Sequence, residues 1–456
     1  MQPDTVIRPD STRMKMPRPL EAPDRLRVSV VGTGYLGTTH AVSMAQLGHD
    51  VVAMDIEQEK IAMLSECELP FFEPGLAELL RKCVEVGRLR FTSSYDDVSE
   101  ADIHFVCVGT PQLHGSFNAD LRLVETAFTE LARRVTRPTI IVGKSTVPAG
   151  TALRMADAVR DLAGGGQVEV AWNPEFLREG HAVEDALQPD RLIFGVKSPR
   201  AERLLRAVYR PIIEGGCPVM VTDYATAELV KVSANTFLAM KISFINAMAQ
   251  ICEATGAAVL PLAEALGYDD RIGRRFLSPG LGFGGGCLPK DVRALYACAT
   301  DLGLDDVATF IRQIDVINLS RRDRALTLGR ELLGGSYARK RVCVLGAAFK
   351  PNTDDVRDSP ALAVAVAAHR EGAQVVMHDP VAMNSARRIH PEIEYADTVV
   401  TAAREVDLVM LLTDWTDFEE MDPALLSGVV RSRNVLDGRN VLTPERWRSA
   451  GWTYRA

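Results

Sequence analysis

The sequence predicts an α/β protein, with two Rossmann-like doubly wound units joined by a long central helix and a helical dimerisation domain. Three observations carry that expectation. A β-branched run, Arg27-Val-Ser-Val-Val, enters a Gly-x-Gly-x-x-Gly turn. A second strand-and-turn unit starts at Arg341-Val-Cys-Val-Leu-Gly346. Between them, about thirty residues from Tyr224 onward contain neither proline nor glycine. At 456 residues the chain is too long for one core. The expected divisions are an N-terminal arm (1–25), a nucleotide-binding unit (26–222), a helical middle with a cysteine loop (223–330) and a second Rossmann-like unit (331–456).

Bulk composition narrows the function classes. The chain is 47% apolar and 25% charged, as in soluble globular proteins. Its net charge of -8 argues against nucleic acid as the main partner. No apolar run is long enough to span a bilayer. The proline-bearing first 25 residues lack an apolar core and are expected to be a flexible arm, not a secretory signal. Eight scattered cysteines never form C-x-x-C, which fits neither a zinc site nor a disulfide framework, so no metal is expected and a cytoplasmic location is the simplest reading.

In the first unit the strand ending at Val31 runs into Gly32-Thr-Gly34-Tyr35-Leu36-Gly37 and then a helix to about Leu47. Asp50-Val-Val-Ala-Met-Asp55 follows as a second strand. Gly32 makes the tight turn, Gly34 admits a pyrophosphate and Gly37 lets helix pack on strand. The helix N-terminus faces the phosphates. Asp55, 18 residues beyond Gly37, is where a carboxylate binds the adenine ribose and repels a 2′-phosphate, so NAD is favoured over NADP. The runs Ile103–Val108 and Thr139–Val142 are expected strands. Their following loops, Gly109-Thr110-Pro111 and Ser145-Thr146-Val147, line the same crevice. The hydroxyls there serve either as turn formers or as cofactor contacts.

Trp172-Asn-Pro-Glu175-Phe176-Leu177-Arg-Glu179 brings two carboxylates four residues apart. In a helix they would share a face, either as a solvated acidic start or as general-base groups. On the long helix Lys231 and Asn235 are also four apart, among apolar residues. The middle segment is expected to stay helical through Asp270-Arg271-Ile-Gly273 and the cysteine loop to about Arg324.

That loop is Pro279-Gly-Leu-Gly-Phe283-Gly284-Gly-Gly286-Cys287-Leu-Pro-Lys290-Asp291. Five glycines beside one cysteine allow close approach of another molecule, and a thiolate near a cation is an activated nucleophile. The same run also reads as a Gly-rich turn ending in a buried cysteine.

The last third repeats the strand-turn pattern at Gln374–Asp379, Asp407–Leu412 and Asn434–Asp437. Gly346 is followed by Ala347-Ala348-Phe349 and not by the fingerprint, so no second dinucleotide is expected there. Lys350, Asp354, Asp355 and Arg357 form either a solvated charged loop or an interdomain, phosphate-facing contact.

Together these segments resemble the nucleotide-sugar 6-dehydrogenases of the UDP-glucose/GDP-mannose dehydrogenase family over about residues 26–445. The motifs are Gly32-x-Gly34-Tyr-x-Gly37, Lys144-Ser-Thr-Val-Pro148, Asn173-Pro-Glu-Phe-Leu-x-Glu179, Glu228-x-x-Lys231 with Asn235, Phe283-Gly-Gly-x-Cys287 with Lys290-Asp291, and Phe349-Lys-Pro351 with Asp355-x-Arg357. The resemblance implies oxidation of a sugar C6 alcohol to a carboxylate with two NAD per turnover, UDP-glucose as substrate, and a homodimer or higher homo-oligomer. It implies Cys287 as nucleophile, Lys231 with Asn235 at the oxyanion, Asp291 and Thr146 on the water, and Glu175 as general base. Cofactor contacts carried over are Tyr35, Leu36, Lys60, Gly109, Thr110, Pro111, Ser145, Glu179 and Arg357. Substrate contacts are Phe176, Leu177, Phe283, Gly284, Lys350, Arg439 and, across a dimer interface, Arg271. Gly286 stands where that family usually has serine. Two rival readings are the same chemistry on another sugar nucleotide and a non-catalytic nucleotide-binding protein.

Overall fold

The computed structural model describes residues 25–163 and 168–456. The expected N-terminal arm falls almost wholly outside them.

The first sheet has eight strands: β1 (Arg27–Val31), β2 (Asp50–Met54), β3 (Leu89–Thr92), β4 (Ile103–Val106), β5 (Thr139–Gly143), β6 (Val168–Trp172), β7 (Leu192–Gly195) and β8 (Val219–Thr222). Their order is β3-β2-β1-β4-β5-β6-β7-β8. Every residue of β4 and β5 is buried, as parallel strands covered on both faces must be. The sheet is not wholly parallel. β7 meets β6 antiparallel through Trp172 and Gly195, then carries β8 parallel to itself. The order reverses between β1 and β4, which opens the crevice for a ligand at their carboxyl ends.

Asp223 caps the helix Tyr224–Thr255 by accepting from the Thr226 N–H at 2.8 Å, and Gly256, at φ 76°, ends it. This spine is about 48 Å long at 1.5 Å per residue. The helices Leu288–Asp301 and Asp305–Leu332 pack beside it around Ala239, Phe283, Val292 and Ile311. The expectation of continuous helix through this region fails between Gly267 and Leu288, where the chain is turn and loop. Gly273, Gly282 and Gly285 take positive φ there, which a right-handed helix excludes.

The second sheet comprises β9 (Arg341–Leu345), β10 (Gln374–His378), β11 (Glu394–Tyr395), β12 (Leu408–Leu411), β13 (Asn434–Asp437) and β14 (Thr453–Arg455), in the order β11-β10-β9-β12-β13-β14. Its first turn is closed on itself. The Asp379 carboxylate accepts from the N–H groups of Ala347 and Ala348 and from the Trp415 indole. A Cβ on Gly346 would lie 2.3 Å from the Thr413 hydroxyl oxygen.

Candidate active site

The nucleotide turn has the shape a dinucleotide needs. A Cβ on Gly37 would lie 1.7 Å from the Gly32 carbonyl oxygen, so only glycine lets the helix Tyr35–Gln46 approach β1 so closely. Nothing lies within 4 Å of the Cβ position of Gly34 or Gly109, which leaves the space above the turn open. Asp55 accepts from the Thr33 N–H (2.8 Å) and hydroxyl (3.1 Å), and Lys60 pairs with it at 3.2 Å. Burial works to raise this carboxyl, but the N–H groups of Thr33 and Glu57 and the Lys60 ammonium hold it below its ordinary value. An acid kept ionised at the end of β2, beside an open Gly turn, fits the adenosine half of a dinucleotide.

The hydroxyls of the neighbouring loops bind backbone. Thr110 donates to the Thr146 carbonyl (2.9 Å) and Ser145 to that of Val108 (2.6 Å), lashing the loops after β4 and β5 together. Their nearer role is that of turn formers.

Residues 173–179 are not helical, so Glu175 and Glu179 do not share a helix face. Glu175 turns inward to Lys144 at 2.9 Å, and its other oxygen accepts from the Phe176 N–H at 2.7 Å. The Phe176 N–H is thus engaged within the loop. Lys144 is buried among Glu175, the Asn173 side chain (3.1 Å) and the Tyr209 hydroxyl (3.2 Å). Burial opposes its charge, and Glu175 and Tyr209 more than restore it. Glu179 lies instead against the third lobe, the one built on the second sheet. It accepts from Arg357 at 3.2 Å and from the Thr353 hydroxyl at 3.4 Å. Burial, with Asp355 beside it, pushes Glu179 up to about 7 against the pull of Arg357 and Lys350.

Cys287 heads the helix Leu288–Asp301. Asp291, in that helix's first turn and 1% exposed, accepts from the Asn235 amide at 2.6 Å and pairs with Lys290 at 2.7 Å. Lys231 is buried one turn before Asn235, its ammonium 5.3 Å from the centre of the Phe176 ring. Cys287 itself keeps contact with solvent, yet its sulfur is closely enough surrounded that burial pushes the thiol up. Lys231 and, more weakly, Lys290 pull it down, while Asp291 and Glu179 push it further up. Of the two nearby cations, Lys231 acts on the sulfur more strongly than Lys290. Lys350 shares this cleft, its ammonium lowered by burial and drawn back by Glu179 and Cys287.

The two arginines expected to contact substrate differ in setting. Arg439 donates to the carbonyls of Leu412 (2.7 Å), Gly282 (3.0 Å) and Phe349 (3.2 Å), stapling the cysteine loop to the second sheet. Arg271 stands away from the cluster, 89% exposed and paired with Asp269. Gly284 lies in the loop, and Phe283 is held on both sides by Asn318: its N–H donates to the Asn318 side chain at 2.8 Å and its carbonyl accepts at 3.0 Å. Glu228, part of a motif around Lys231, accepts from the N–H groups of Gly150 and Ala152 and so caps the helix Thr151–Leu162. The charged run after β9 is an interlobe contact, with Asp354 accepting from the Phe72 N–H and Arg357 reaching Glu179.

Sequence reasoning missed Glu73. This buried carboxylate accepts from the Tyr35 hydroxyl and from the N–H groups of Gly180 and Ala182, both at 2.7 Å. It ties the nucleotide turn to the end of the 173–179 loop. The available signal was an acid inside Pro70-Phe-Phe-Glu73-Pro, an apolar, proline-bounded setting that disfavours a solvated carboxylate.

A dinucleotide turn on one lobe, with a cysteine at a helix head and a buried lysine on a spine beside the same cleft, fits a nicotinamide-dependent dehydrogenase. Family models match in the same order. The NAD binding domain of the UDP-glucose/GDP-mannose dehydrogenase family matches residues 26–213, its central domain 225–320 and its UDP binding domain 343–444. The chain belongs to the UDP-glucose/GDP-mannose dehydrogenase family. It is 38% identical to the UDP-glucose 6-dehydrogenase of Rhizobium meliloti (strain 1021), over 94% of this chain and 98% of that protein. Among solved structures, a UDP-glucose dehydrogenase from the hyperthermophilic archaeon Pyrobaculum islandicum superposes with TM-score 0.87 at 38% identity, covering 94% of this chain and 98% of that one. A UDP-D-ManNAc dehydrogenase from Pyrococcus horikoshii gives 0.83 at 28%, with the same coverage.

Proposed function

We propose that the chain oxidises the C6 alcohol of UDP-glucose to the carboxylate of UDP-glucuronate, consuming two NAD. The carrying observation is the meeting of Cys287, Lys231, Asp291 and Asn235 where the spine, the cysteine loop and the third lobe converge. Bound NAD supplies the hydride acceptor for each two-electron oxidation. Gly32, Gly34, Tyr35, Leu36, Gly37 and the loops bearing Gly109, Thr110, Pro111, Ser145 and Thr146 would hold it, with Asp55 and Lys60 toward its adenosine and Glu179 and Arg357 also among its contacts.

The chain's own groups manage the carbon. The first oxidation removes a hydride from C6 and passes the hydroxyl proton to the water held by Asp291 and Thr146, leaving an aldehyde. The Cys287 sulfur then adds to its carbon while the thiol proton goes to the oxygen, giving a thiohemiacetal that keeps the aldehyde from escaping. Lys231, with Asn235, steadies negative charge on that oxygen. Loss of a second hydride and the hydroxyl proton leaves a thioester on Cys287. Water, positioned by Asp291 and Thr146 and deprotonated by Glu175, adds to the thioester carbon. The C–S bond breaks, and carboxylate and thiol are released. Phe176, Leu177, Phe283, Gly284, Lys350 and Arg439 shape the sugar-nucleotide side.

A homodimer completes the reading. Phe237, Phe244 and Ile251, seven residues apart on the spine, are 59%, 46% and 54% exposed. Such a seam suits a second copy of the same helix, and Arg271 then serves the partner's substrate. No helix among the described residues is long and apolar enough to cross a membrane, and a cytoplasmic location fits a chain with eight unpaired cysteines. A substrate panel tests the sugar. UDP-glucose is expected to give the highest kcat/KM, and faster turnover of UDP-N-acetylmannosamine or GDP-mannose would contradict it.

A further inference from the structure

Three successive glycines of the cysteine loop each face an atom of the third lobe. A Cβ on Gly284 would lie 2.5 Å from the Asp358 carbonyl oxygen, one on Gly285 2.8 Å from the Phe349 ring, and one on Gly286 2.4 Å from the guanidinium carbon of Arg357. The Gly285 N–H also donates to the Arg357 carbonyl at 2.8 Å. The first two neighbours are backbone and a packed ring, which cannot give way. The third is the end of a flexible side chain, which can. Gly286, unlike Gly285, does not take a positive φ, so a side chain there adds no backbone strain and acts only through what it meets.

What it meets is the seat of Arg357. From that seat the guanidinium makes three bonds to Asp355, at 2.9, 2.9 and 2.7 Å, and one longer bond to Glu179 at 3.2 Å. If the guanidinium is displaced, the single contact to Glu179 goes first, because the triple grip on Asp355 can swing with the side chain. Glu179 then keeps only the Thr353 hydroxyl at 3.4 Å.

We propose that Gly286 is a positioning residue: its missing side chain gives Arg357 a seat against the cysteine loop, from which Arg357 orients Glu179. The inference rests on the reading that Arg357 and Glu179 flank the cofactor cleft.

A double-mutant cycle tests it, with Gly286→Ser and Arg357→Ala alone and combined, read both as KM and kcat with UDP-glucose and as NAD affinity by calorimetry without sugar. Gly286→Ser is expected to weaken NAD about tenfold with kcat changed less than about threefold, and to have no further effect in the Arg357→Ala background, a full coupling of the kind seen between touching residues. Gly286→Ala should reproduce Gly286→Ser, since the first carbon makes the collision. Equal effects of Gly286→Ser in both backgrounds, or no effect in either, would overturn the proposal. Thermal unfolding of each variant separates misfolding from displacement, because a displaced side chain leaves the melting temperature within a few degrees. If wild type makes no NADH from UDP-glucose, the functional reading fails while the calorimetric cycle still decides the role of Gly286.

Discussion

The Asn235 amide donates to the Asp291 carboxylate over 2.6 Å, joining the spine to the helix that Cys287 begins. The bond satisfies an acid almost cut off from solvent and holds it in place beside Cys287. Asn235→Ala is expected to lower kcat by about ten- to a hundredfold and to cost about 1–3 kcal/mol of stability, the usual range when a buried acceptor loses its donor. Steady-state kinetics and urea unfolding of the same preparation check both. Unchanged kcat with lowered stability would reduce Asn235 to a packing role.

Lys144 carries the largest stability prediction. It is buried with Glu175, Asn173 and Tyr209, and His40 behind it is held well below its ordinary pKa by burial and by this same ammonium. Lys144→Met strands Glu175 and should destabilise the protein by about 3–5 kcal/mol. Denaturant unfolding reads this directly, and a loss below about 1 kcal/mol would mean the pair adds little.

How much of this was legible in the sequence differs by element. The strands at Arg27, Asp50, Arg341 and Gln374 and the spine announced themselves by local pattern, because each is specified by its own residues. The partners inside the site did not. Glu73 meets Gly180 and Lys144 meets Glu175 only because the sheet brings distant segments together. Helical spacing did not apply at Glu175 and Glu179, because residues 173–179 form a loop in which Glu175 turns to Lys144. The loop 268–287 carried its own warning in its glycines.

Glu179 sets a pH dependence. Its pKa stands at about 7 in the fold against an ordinary 4.5, so the folded state holds the proton more tightly than the unfolded chain. Its contribution to stability is therefore full below about pH 4.5 and is lost as pH rises through 7. Glu179→Gln, which mimics the protonated acid, should melt at a temperature close to wild type at pH 5 and gain on it by pH 8. A difference that stays flat between those pH values would contradict the burial argument.

Asp55 predicts cofactor choice. Its carboxylate, held ionised by Thr33, Glu57 and Lys60, repels a 2′-phosphate, so kcat/KM with NAD should exceed that with NADP by at least about a hundredfold. Asp55→Asn is expected to narrow that gap. A wild-type enzyme that prefers NADP would contradict the assignment.

The most direct test counts NADH formed per UDP-glucose consumed, in wild type and in Cys287→Ala. The covalent account predicts two NADH per sugar in wild type. It predicts no net NADH in the variant, which still binds UDP-glucose. One NADH per sugar, or undiminished turnover without the Cys287 sulfur, would contradict it.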